Sequence, residues 1–145
     1  MPAVNPYLTF DGNCEEAFEF YRAGIGGEFA TKMRFKDGGE ACGQMNLSES
    51  EANRIMHVAL PIGNGTVLMA SDIPSSQGPI HNGDNFAITL SVDSESEADR
   101  VFNNLSAGGN VIMPLGKVFW GAYFGMFSDK FGIKWMVSYD YNRHQ

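Results

Sequence analysis

Two cysteines, Cys14 and Cys42, are all that 145 residues contain, and they form no Cys-x-x-Cys pair. Small secreted scaffolds are far denser in cysteine, so the count points to reduced thiols in a cytoplasmic protein and away from a disulfide framework. No stretch approaches the roughly 20 consecutive apolar residues that cross a bilayer. Met1 to Phe10 has no basic region followed by an apolar run, which predicts no secretory leader. Positive charge is short as well: ten Lys and Arg stand against seventeen Asp and Glu, a formal net charge of -7. Such a surface repels phosphate backbones and anionic lipid, which argues against nucleic-acid and membrane partners.

Several catalytic signatures are missing. There is no G-x-G-x-x-G after a predicted strand, no G-x-x-x-x-G-K-[ST], no G-x-S-x-G and no H-E-x-x-H. Gly24-Ile25-Gly26-Gly27 follows a predicted helix instead of opening one, so it reads as a helix C-cap and not as a phosphate cradle. Ser71 and Ser128 have no convincing His-Asp partners.

What is present describes a globular chain. Hydrophobic residues make up 43% and charged residues 19%, and the length favours one domain. Seventeen glycines and 12% aromatics suggest tight turns around an aromatic-rich core.

Asn5 to Phe10 reads as a strand closed by Asp11-Gly12. Asn13 and Glu16 then stand at capping-box spacing, and Cys14, Ala17, Phe18 and Tyr21 form an i, i+3, i+4, i+7 stripe that predicts a helix. Strands are expected at Glu28–Phe35, Arg54–Pro61 and Thr66–Ser71, with a short one around Gln44–Leu47. Within Arg54–Pro61, Ile55, His57 and Ala59 are expected on one side. Gly63-Asn64-Gly65 reads as a hairpin turn, and the Pro/Ser/Gly-rich run after Asp72 reads as a linker.

The pattern then restarts. A strand at Phe86–Val92 leads to Ser94 and Glu97, again at capping-box spacing, and to a second stripe of Ala98, Val101, Phe102 and Leu105. Strands follow at Asn110–Leu115, Ala122–Ser128 and Ile133–Tyr139. Laying Gly65 on Gly132 also places Met69 on Met136 and Ser71 on Ser138. The expectation is an α+β protein, one domain over residues 1–145 made of two βαβββ modules, 1–75 and 85–145, joined by a linker at 76–84. One helix covers one face of a sheet, so the modules must pair, within a chain or between chains.

At this point the chain resembles the PhnB-like branch of the vicinal oxygen chelate superfamily, which includes glyoxalase I and the bleomycin-resistance proteins. The resemblance rests on Asn5-Pro6-Tyr7-Leu8-Thr9-Phe10, Gly12-Asn13-Cys14-Glu15-Glu16-Ala17, Phe20-Tyr21, Met56-His57, Met69-Ala70-Ser71-Asp72, Phe119-Trp120-Gly121 and Asp129-Lys130-Phe131-Gly132-Ile133-Lys134-Trp135-Met136. It implies cupped mixed sheets around a pocket and, commonly, a homodimer. It also implies where metal-dependent members hold a divalent ion, on the first and last strands of each module. Those positions fall here on Pro6 or Tyr7, Met69, Ala87 and Met136. None is a good ligand for Zn²⁺, Fe²⁺, Mn²⁺ or Ni²⁺, so a divalent metal is disfavoured and no cofactor is expected.

The resemblance therefore implies a small-molecule-binding protein with Tyr7, His57, Met69, Trp120, Tyr123 and Met136 as candidate ligand contacts. Trp120 offers a large apolar face and one donor, suited either to clamping a flat ligand or to plugging the open end of the sheet. His57 is a candidate general base, with a sheet histidine bonded to a neighbour as the alternative. Asp72 is a candidate partner for it, or an ordinary turn-former. The competing functional reading is an enzyme, of lyase, isomerase or dioxygenase type, acting on a small oxygenated substrate such as an α-hydroxy carbonyl compound or a catechol-like ring.

Overall fold

A computed structural model gives the fold and describes residues 4–37, 49–63, 65–73, 80 and 83–142. The chain divides into two compact units, Met1–Asn82 and Gly83–Gln145. The first holds β1 (Tyr7–Phe10), α1 (Cys14–Ile25), β2 (Thr31–Arg34), a 3₁₀ turn (Phe35–Asp37), α2 (Glu49–Ala52), β3 (Ile55–Gly63) and β4 (Thr66–Asp72). The second holds β5 (Ile88–Ser91), α3 (Glu95–Ser106), β6 (Asn110–Val118), β7 (Ala122–Ser128) and β8 (Lys134–Asp140). The strand suggested at Gln44–Leu47, the hairpin residue Asn64, most of the predicted linker, and Cys42, His81 and His144 lie outside the described residues. None of the described helices is long and apolar enough to cross a membrane.

Each unit builds one four-stranded mixed sheet, in the orders β1-β4-β3-β2 and β5-β8-β7-β6. The first strand runs parallel to the last, and the other neighbours are antiparallel. Met69 and Met136 occupy equivalent places, opposite Tyr7 and Thr89, and Gly65 and Gly132 both adopt positive φ, +79° and +90°.

Strand alternation sets the two faces. Leu8, Phe10, Val58, Leu60, Leu68 and Ala70 are buried on the side covered by α1, with its stripe of Cys14, Ala17, Phe18 and Tyr21. In the second unit Phe127, Trp135 and Val137 are sealed on the α3 side, and Phe102 meets Phe127 edge-on at 5.1 Å. Gly125 is required there, because a Cβ would sit 2.7 Å from the Phe102 ring.

Two local expectations are corrected. Asn13 makes no side-chain cap bond; instead Asp72, 58 residues beyond Cys14, accepts from the Cys14 N–H at 3.0 Å and the Gly12 N–H at 2.9 Å. A buried carboxylate is a stronger acceptor than a solvated amide, so the tertiary cap displaces the local one. At Ser94 the local cap forms as expected: its hydroxyl accepts from the Glu97 N–H at 3.0 Å, and Glu97 in turn accepts from the Asp93 N–H. The second correction is at the start of β3. Arg34 opposes Ile55 while Met33 opposes His57, so β3 carries an extra residue, and Ile55 is buried instead of sharing His57's half-exposed environment.

Candidate functional site

Among the described residues the face of the first sheet turned away from α1 is helix-free, and it gathers three of the sequence-predicted residues. Tyr7, Met69, Ala59 and Thr31 stand opposite one another across β1, β4, β3 and β2, and His57 and Met33 form the next pair on the same side. Tyr7 leans across β4 and stacks on His57, ring centroids 5.9 Å apart and planes 26° from parallel. Tyr7 is 50% exposed, while His57 and Met69 are half-buried. The result is a flat aromatic pair beside a flexible thioether, with a phenol hydroxyl and an imidazole as polar tips.

The charged residues on these four strands, Lys32, Arg34 and Asp72, all turn to the α1 side. Lys32 pairs with Glu15 at 2.6 Å and Glu19 at 3.3 Å, and Arg34 grips Glu15 with two nitrogens at 2.7 and 3.1 Å. The hydrogen bonds from Arg34 and Lys32 hold the Glu15 carboxyl down to about 2. Asp72 is 2% exposed, and beyond its two bonds at the start of α1 it accepts from the Ile55 N–H at 2.8 Å. Of the two readings of Asp72, partner of His57 or turn-former, the pairing with His57 is not formed. Asp72 lies across the sheet from the imidazole, with both oxygens committed to backbone.

The second unit also buries a carboxylate, Asp129, in the turn between β7 and β8. It is buried, accepts from the Phe131 and Ile133 N–H at 2.8 and 3.0 Å, and takes the Trp135 indole N–H at 2.8 Å.

On the second sheet Met136 lies on the helix-free face, opposite Met126 on one side and Thr89 on the other. Trp120, 52% exposed, packs edge-on against Phe124 at 5.6 Å, and Phe124 shares that face two residues from Met126. Tyr123 does not join them. It alternates with Phe124, points to the α3 side and donates to Asp99 at 2.6 Å, a bond that raises its hydroxyl pKa. Met126 and Phe124 were missed in the sequence, although the period of two along Ala122–Ser128 separates them from Tyr123, Gly125 and Phe127.

The profile of the Glyoxalase/Bleomycin resistance protein/Dioxygenase superfamily matches residues 3–137. The chain belongs to this superfamily. Protein YjdN of Escherichia coli (strain K12) is 32% identical, over 95% of each chain. The crystal structure of protein PA1353 from Pseudomonas aeruginosa superposes with a TM-score of 0.83 at 41% identity, covering 97% of this chain and 98% of that one. The PhnB protein from Bacillus cereus shares the fold, with a TM-score of 0.73 at 24% identity over 95% and 99% of the two chains. These matches agree with the α+β, twice-βαβββ architecture of this superfamily member. Among the described residues no three His, Cys, Asp or Glu side chains cluster closely enough to hold a metal ion.

Proposed function

We propose that this chain is a small-molecule-binding member of the superfamily whose ligand rests on the helix-free face of the first sheet, against Tyr7, His57 and Met69. The Tyr7–His57 stack carries the reading. A half-exposed aromatic pair is a platform for a flat ring, its hydroxyl and imidazole offer hydrogen bonds to ligand oxygens, and the thioether adapts to ligand shape. In the second unit Met136 and Trp120 lie on the side of the sheet turned away from α3, and Tyr123 does not, its hydroxyl being engaged by Asp99. At the positions where the resemblance implies metal ligands, Tyr7, Met69 and Met136 supply a phenol and thioethers, which do not fit a hard divalent ion, and no step of this reading passes through one. Superfamily resemblance supports a homodimer, and a free, buried Cys14 fits a reducing cytoplasm.

The test is a titration of the purified chain with 2,3-dihydroxynaphthalene, a neutral, flat, fluorescent diol. Saturable binding is expected, weakened about tenfold by Tyr7→Ala and by His57→Ala, the scale of losing one aromatic contact. Absence of saturation, or affinity in both variants equal to that of the unsubstituted chain, contradicts the proposal. The half-buried imidazole on the same face favours one second reading, an enzyme using His57 as general base on an oxygenated substrate. Turnover that survives His57→Ala removes that reading.

A further inference from the structure

Three methionines stand in one row across the second sheet. Met113 on β6 opposes Met126 on β7, and Met126 opposes Met136 on β8. Thr89 on β5 ends the row, its hydroxyl donating to the Met136 sulfur at 3.7 Å. Met126 alternates with Gly125 and Phe127, and Met136 with Trp135 and Val137; those four residues are buried on the α3 side, so both thioethers face away from the helix. Met113 is 40% exposed and the other two are half-buried, so the row is open to small solutes.

Sheet formation does not call for this choice. Strands favour β-branched and aromatic side chains, and three unbranched thioethers on one cross-strand row give up that preference. Opposed residues lie about 4.5–5.5 Å apart at Cα. Met126 stands between the other two, so flexible side chains reaching in from β6 and β8 can bring their sulfurs to its own. Neutral thioethers are soft donors that select Cu(I) over Zn²⁺, Mn²⁺ or Mg²⁺. The Thr89 hydroxyl occupies one sulfur lone pair of Met136 and leaves the other available.

We infer that Met113, Met126 and Met136 form a three-thioether site for one soft monovalent cation, Cu(I) or its redox-inert analogue Ag(I). The site lies wholly within the second unit and does not depend on the ligand reading of the first.

The experiment is calorimetric titration of the full chain with Ag(I) in chloride-free buffer, in a Cys42→Ser background so that this thiol does not compete. Cys14 is buried, and burial pushes its thiol pKa well above the ordinary value, which keeps it protonated. One ion per chain is expected, undisturbed by excess Zn²⁺. Met126→Leu and Met136→Leu should each weaken binding at least tenfold while circular dichroism stays unchanged, since leucine conserves volume. Met56→Leu in the first unit should leave the affinity as it was. No saturable Ag(I) binding, or binding retained in the Met126→Leu/Met136→Leu double variant, overturns the proposal.

Discussion

A carboxylate sealed from water has to be met by donors, and Asp72 is met by three backbone N–H groups from two segments of chain, Gly12–Cys14 and Ile55. Removing it strands those donors at the start of α1 and of β3. Asp72→Ala should therefore cost about 3 kcal/mol, read as a lowered urea midpoint with unchanged slope; a cost under about 1 kcal/mol would contradict the structural role. The sequence held a clue that this residue was not a catalytic partner. Met69 and Asp72 are three apart on one strand, so they must face opposite ways if Met69 faces the ligand. The same parity divides Tyr123 from Met126. What no local pattern could supply was the long reach of Tyr7 over β4 to His57, because that contact depends on strand order and not on spacing.

At the scale of elements, the two long helices are opened by different devices. Ser94 caps α3 within its own segment, whereas α1 borrows Asp72 from the far end of the unit. Ser94→Ala should cost about 1 kcal/mol, while Asn13→Ala, whose side chain makes no cap bond, should change stability by no more than a few tenths of a kcal/mol. Thermal melts of the two variants check the contrast, and equal losses would contradict it. Both apolar stripes were legible because a period of 3.6 is written in the sequence itself. The cap of α1 was not, since a tertiary acceptor leaves no trace near Asn13. Strand existence was legible from alternation in β3, β4, β7 and β8. The bulge that buries Ile55 was not, because an extra residue is defined only against its partner strand.

At the scale of the whole molecule, the duplication explains both the topology and the placement of the candidate sites. Each unit covers one face of its sheet with a long helix, and the other face carries an aromatic pair with a thioether in the first and a methionine row with Phe124 and Trp120 in the second. The repeat was legible because caps, stripes and the Gly65/Gly132 turns recur in order, and superfamily membership agrees with it. The ligand itself left no comparable mark, since one scaffold hosts many chemistries. The most direct test follows methyl and imidazole NMR signals of the chain while 2,3-dihydroxynaphthalene is added. The account predicts shifts at the Met69 methyl and the His57 ring, with the Leu60 and Leu68 methyls beneath α1 unmoved. Shifts confined to the α1 side, or none at Met69 and His57 under saturating ligand, would contradict it.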